Sequence, residues 1–187
     1  MEQVEILLGE LRKAKNEHVY LISEVFLATG ARWSEVESLR KPQVRNGLIQ
    51  FAMTKSKKVR AVPIDARLEN DLKKHYKLKS KEIGDERFFT YAYSAFISAL
   101  ERSGIVLPAG QPAHVTRHTF ASHFIINDGN ILALQKILGR GALAMTMRYA
   151  HLSPDHLVEA RTLNPLSRRK KLDENWIEHV EPKTKKG

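Results

Sequence analysis

The stretch Val44-Arg45-Asn46-Gly47-Leu48-Ile49-Gln50-Phe51-Ala52-Met53-Thr54-Lys55-Ser56-Lys57-Lys58-Val59-Arg60-Ala61-Val62-Pro63-Ile64 decides the fold. Asn46-Gly47 is the dipeptide of a tight two-residue hairpin, because both turn residues of that hairpin take a positive φ. The segments on either side of Lys55-Ser56-Lys57-Lys58 are rich in residues that suit a pleated, half-buried surface. The stretch predicts three short antiparallel strands, with Pro63 at a strand end or an edge.

Outward from it the chain reads as helix. Val4, Leu7, Leu8 and Leu11 recur at helical spacing over residues 3–13, and Val19, Ile22, Val25, Phe26 and Leu27 over residues 17–29. Gly30 follows as a C-terminal stop. Ser34 reads as the cap of a short helix whose acidic residues, Glu35 and Glu37, suit its positive end. Further helices are predicted over 66–77, 91–103, 116–127, 130–138, 142–149 and 154–162, punctuated by Gly129-Asn130, Gly139 and Ser153-Pro154. The fold class is therefore mainly α (α+β), with a small three-stranded antiparallel sheet at one edge. No internal repeat or low-complexity block interrupts the body. From Arg168 the composition changes to the charge run Arg168-Arg169-Lys170-Lys171 and a lysine-rich end. Between them, Asp173 to Val180 carries Trp176, Ile177 and Val180. It reads either as a short docking helix on a charged tether or as a frayed tail.

With 187 residues the chain can build one domain with a proper core. Lys and Arg total 31 against 21 Asp and Glu, a net charge of +10. A polyanionic partner is the natural reading, because neutralising phosphates releases counterions. A basic surface that only aids solubility is the plainer one. The absence of cysteine excludes a disulfide framework, a thiolate metal site and a cysteine nucleophile. No apolar run approaches the roughly 20 residues that span a bilayer, and the N-terminus lacks the pattern of a signal peptide. The expectation is a cytoplasmic protein with no membrane partner.

Several residues carry candidate chemistry. Arg32 follows Ala28-Thr29-Gly30-Ala31, where glycine permits a sharp turn and a close approach by a large ligand. Glu35, three residues on, is placed to hold its guanidinium. His114 and Arg117 are three apart near a helix start and can share one target; arginine offers a rigid donor fork for phosphate oxygens, and histidine titrates near neutrality. Lys55 sits on a hairpin tip. Tyr149 lies in Met145-Thr146-Met147-Arg148-Tyr149-Ala150-His151-Leu152. A phenol, with a reference pKa of about 10, attacks only if cations lower that pKa or a base takes its proton. Each residue alone also has an ordinary reading: an ion-paired surface arginine, a helix-capping histidine, a solvated lysine, a packed tyrosine. His114, His118 and His123 lack the helical repeat and nearby Glu of a zinc enzyme, so no metal is expected.

Taken together, these residues resemble the tyrosine recombinases, and within them the temperate-phage integrases. The matching stretches are Ala28–Leu39, Thr54–Pro63, His114–His123 and Ile137–Leu152. The resemblance implies that Tyr149 is the nucleophile that forms a 3′-phosphotyrosyl link. It implies that Arg32 and Arg117 hold the non-bridging oxygens, that Lys55 protonates the departing 5′ oxygen, and that His114 assists proton transfer. Lys57, Lys58 and Arg148 are expected against the DNA backbone. No cofactor or metal is implied. The implied partners are double-stranded DNA attachment sites, further copies in a homotetramer on DNA, and DNA-bending accessory proteins, in the cytoplasm of a bacterial host.

Two departures from the family pattern stand out. Leu138-Gly139 is followed by Arg140 where the family usually carries histidine or sometimes tryptophan, which implies impaired rather than abolished cleavage. The chain also begins where the catalytic domain should. The expected organisation is a catalytic domain over 1–165 and a basic tail over 166–187, without an N-terminal DNA-clamping domain. Competing readings are a DNA-binding protein without catalysis, either a regulator or an inactivated integrase, and a type IB topoisomerase.

Overall fold

A computed structural model describes residues 2–52, 59–84, 86–107, 112–139 and 146–152, with the side chains of residues 112–116 outside that description. The chain opens with α1 (Glu2–Arg12) and α2 (Val19–Thr29). Helix α2 is apolar nearly all round and is therefore central: Val19, Ile22, Val25 and Phe26 are fully buried. It ends at Gly30, whose φ of 59° is left-handed and whose N–H donates to the Phe26 carbonyl. A short helix, α3 (Trp33–Glu37), and a 3-10 turn (Lys41–Gln43) lead into the sheet.

Strands β1 (Val44–Arg45), β2 (Leu48–Ala52) and β3 (Val59–Pro63) pair antiparallel in the order β1-β2-β3. Asn46 and Gly47 take φ of 53° and 70°, as the hairpin reading requires. The register pairs Ile49 with Val62 and Phe51 with Arg60. Ile49, Phe51 and Val62 turn one face to the core. Arg60 shares that buried face, which alternation assigns to apolar side chains.

The remaining described elements are α4 (Ala66–Ile83), α5 (Tyr93–Arg102), α6 (Pro112–Ile126), α7 (Ile131–Leu138) and a 3-10 turn (Ala150–Leu152). Asp65 caps α4 by accepting from the Leu68 N–H, and Asn130 caps α7 by accepting from Leu132 and Ala133. One core gathers α1, α2, α3, α4, α5 and the sheet, with Trp33 packed against Phe26, Tyr93 and Phe96. A second cluster joins Ala121 and Ile125 of α6, Leu134 and Leu138 of α7, and Tyr149. Each large apolar side chain so buried contributes about 1.5–3 kcal/mol.

The mainly α fold with its edge sheet is the one expected, and the differences lie at boundaries. Helix α4 runs to Ile83 rather than residue 77. Its last turns bury no side chain fully and are held by good helix formers and an ion pair of Lys79 with Glu82 until Gly84, at φ 69°, stops it. Helix α6 starts at Pro112 rather than 116, because proline suits the first turn. The cap of α3 is Arg32 rather than Ser34, which lies inside the helix. Of the expected helix at 142–149, residues 146 and 147 are helical and a turn follows; residues 140–145, the expected helix at 154–162 and the tail from 166 lie outside the described residues.

Candidate active site

The site is built on the turn that ends α2. Thr29 is fully buried; its hydroxyl donates to the Val25 carbonyl at 2.7 Å and accepts from the Ala31 N–H at 3.3 Å. Gly30 then reverses the chain. A Cβ on Gly30 would lie 2.4 Å from Cδ1 of Phe120 and 3.0 Å from Cδ2 of Leu138, so the ends of α2 and α7 approach α6 only because that atom is missing. Arg32 emerges from this turn with its side chain about half exposed (56%).

Glu35 fixes Arg32 twice. One carboxylate oxygen accepts from the Arg32 backbone N–H at 2.7 Å, and the other accepts from its guanidinium at 3.2 Å. The same carboxylate receives a two-pronged contact from Arg60, at 2.9 and 2.6 Å. Arg60 is only 6% exposed and lies over the Phe51 ring, 4.8 Å from its centroid. Its Nε is buried without a hydrogen-bond partner. Burial alone raises the Glu35 carboxyl, but the bonds from Arg60 and Arg32 outweigh it and hold the group below the ordinary carboxylate range.

Arg117, on α6, is buried at 8% exposure and held by geometry rather than by a salt bridge. It donates to the Gly30 carbonyl at 2.7 Å and to the Leu138 carbonyl. Its pKa is pushed down to about 10, first by burial and then by the cations of Arg32 and Arg60, with Glu35 and Tyr149 opposing. It stays charged at neutral pH. Three guanidinium groups thus share a neighbourhood with one carboxylate, a field suited to an anion.

Tyr149, at 6% exposure, packs into the second core cluster, and its hydroxyl meets Nδ1 of His118. Burial raises the phenol's pKa, and Arg117 and Arg148 only partly offset this. Abundant cations therefore do not pre-ionise this tyrosine, because the desolvation of the phenolate outweighs them. Any nucleophilic use of this phenol would require a proton acceptor.

Of the residues singled out in the sequence, the structure brings together Arg32, Glu35, Arg117 and Tyr149. The interacting Arg148 lies one residue before Tyr149. Position 114 lies in the first turn of α6, inside the helix, and the His114 side chain is outside the described residues, as are Lys55, Lys57, Lys58 and Arg140. Among the described residues, no group of three or more His, Asp or Glu side chains is placed to share one metal ion. No described helix is long and apolar enough to cross a membrane. Sequence reasoning missed Arg60 and the contact of His118. Arg60 had a usable signal, a cation on the strand face that Val62 turns inward; in the sequence His118 stands out only as a possible metal ligand.

The chain belongs to the phage integrase family: residues 1–156 match the family's profile. The integrase of Escherichia phage 186 is 50% identical over 165 residues, covering 88% of this chain and 47% of that protein. The integrase of Haemophilus phage HP1 is 49% identical over 161 residues, covering 86% and 45%. The chain thus spans about half the length of these curated relatives. The solved catalytic domain of bacteriophage HP1 integrase superposes with a TM-score of 0.80 at 47% identity, covering 89% of this chain and 94% of that one.

Proposed function

We propose that this chain is the catalytic portion of a site-specific recombinase that cleaves and rejoins DNA strands for phage integration and excision. The observation that carries the reading is the placement of the Tyr149 hydroxyl against His118 and within the field of Arg117, in a chain of the phage integrase family.

The chemistry proceeds in two transfers. The Tyr149 oxygen attacks a backbone phosphorus, forming a phosphotyrosyl bond at the 3′ end as the bond to the 5′ oxygen breaks. The phenolic proton passes to a neighbouring base, for which His118 is in place and His114 is the candidate the resemblance supplies. The departing 5′ oxygen takes a proton from Lys55. Arg32 and Arg117 bind the non-bridging oxygens and stabilise the charge that builds on them. The energy of the phosphodiester is kept in the phosphotyrosyl bond, so a 5′ hydroxyl from a partner strand reverses the reaction without a nucleotide. The substrates are double-stranded DNA attachment sites in the cytoplasm of a bacterial host. Exchange between two duplexes takes a tetramer of this chain, with DNA-bending proteins as accessories. Arg140, where the family usually has histidine, slows the first transfer without abolishing it.

The test is covalent trapping. Supercoiled plasmid is incubated with the chain in the absence of metal, denatured, and assayed for DNA linked to protein. An adduct that disappears in Tyr149→Phe is expected. The absence of any adduct would favour a protein that binds DNA without cutting it.

A further inference from the structure

We propose that Arg60 is a positioning residue for Arg32, acting through Glu35, and that it ties the phosphate-binding arginine to the edge sheet. The proposal rests on the functional reading above for what Arg32 does. For how Arg32 is held, it rests on contacts within the chain alone.

Burying a cation is expensive, and a protein keeps one only where strong partners hold it. Arg60 is buried on the inward face of β3, paired across the ladder with Phe51 and lying over that ring. Its guanidinium spends two nitrogens on Glu35 and leaves Nε buried and unpaired. A core residue chosen for stability alone would be apolar, like Val62 two positions on. What Arg60 achieves instead is a fixed carboxylate. With the fork of Arg60 behind it, Glu35 has little rotational freedom. Both of its oxygens then face Arg32, one on the backbone N–H and one on the guanidinium.

The consequence is directional. Arg32 has an exposed side chain and sits at a helix cap, where an exposed ion pair on its own would contribute little and hold no fixed geometry. A carboxylate clamped from behind converts that loose pair into a rigid one. Arg60 also lies on the strand that follows residues 53–58, the segment carrying Lys55. Any shift of β3 therefore moves the anchor of Arg32.

Arg60→Lys keeps the charge but loses the fork. Glu35→Gln removes the carboxylate charge at a partly exposed position and serves where the buried substitution fails to fold. Adduct-forming rates are measured on a duplex built around the site at which the plasmid is cut, for each variant alone and combined with Arg32→Ala. Either variant alone is expected to slow cleavage by about ten-fold or more, since small misplacements of a catalytic group are costly. In the Arg32→Ala background, neither should slow it further. Equal slowing in both backgrounds would overturn the proposal. A second measurement, hydrogen exchange at the Arg32 amide, needs no DNA. Protection of that amide should fall in both variants, and unchanged protection in either would also overturn it. If the parent chain forms no adduct, the functional reading fails, and the exchange measurement still decides whether Arg60 holds Arg32.

Discussion

Two arginines of the site, Arg32 and Arg117, are held in opposite ways. Arg32 is half exposed and steered by charge, through a carboxylate that a second, buried arginine fixes. Arg117 is buried and steered by shape, through two backbone carbonyls that belong to the ends of different helices. A cation held by a carboxylate can be re-aimed by anything that moves or neutralises that carboxylate. A cation held by carbonyls moves only if the backbone moves. One site thus combines an adjustable donor with a rigid one.

The largest effect should come from the rigid member. Arg117→Lys keeps a charge but cannot reach two divergent carbonyls and a phosphate together. Adduct formation should fall by about 10²-fold or more, as when one oxyanion donor is lost. The carbonyls left without a partner should lower stability by about 1–3 kcal/mol each. Arg32→Lys should reduce adduct formation while leaving the melting temperature nearly unchanged. A larger loss of stability in Arg32→Lys than in Arg117→Lys would break the comparison.

Next in size is Gly30→Ala. The left-handed φ of 59° costs a side chain about 1–2 kcal/mol. The new Cβ would also meet the Phe120 ring at 2.4 Å, which adds strain of about 1–3 kcal/mol. Because the Gly30 carbonyl anchors Arg117, the rate should fall with the stability. A variant that melts early yet cleaves at the parent rate would show that the carbonyl clamp is dispensable.

The smallest effect lies away from the site. His18 Nδ1 and His75 Nε2 are 2.9 Å apart, a contact that needs one ring neutral to accept. Burial first, then the charges of His18 and Lys79, push His75 down to about 4, against weaker opposition from the Phe88 backbone and Glu17. The fold therefore prefers neutral His75. The unfolded chain, with a value near 6.5, takes up a proton first on acidification. Stability should be full above about 6.5 and fall as pH drops toward 4, by about 1 kcal/mol after allowing for solvent screening. Melting curves between pH 7 and pH 5 check this, and His75→Gln should flatten them. Glu35, held below the ordinary carboxylate range, stabilises the fold above that range and loses its effect as pH falls below it, so its loss begins at lower pH than that of His75.

The fold was largely legible because its signals are local. Asn46-Gly47 specified the hairpin, apolar spacing specified α1 and α2, and Gly129-Asn130 and Gly139 bracketed α7. Boundaries were less legible: Pro112 opens α6 a turn before its periodic residues begin, and the polar end of α4 carries no apolar stripe. At the site, Arg32, Glu35, Arg117 and Tyr149 could be named from motifs. The strand alternation could place Arg60 on the inward face, but its partner and the hydroxyl contact of His118 could not be named, because those pairings lie 25 and 31 residues apart in the chain. A residue whose importance depends on a distant partner leaves little trace in its own neighbourhood.

Arg117 joins the last carbonyl region of α7 to the turn after α2, so its guanidinium works like the pin of a hinge with two leaves. The chain that leaves α7 at Leu138 is the same chain that returns as Tyr149. On the proposed function, loosening either carbonyl would therefore disturb the seat of Arg117 at both helix ends at once.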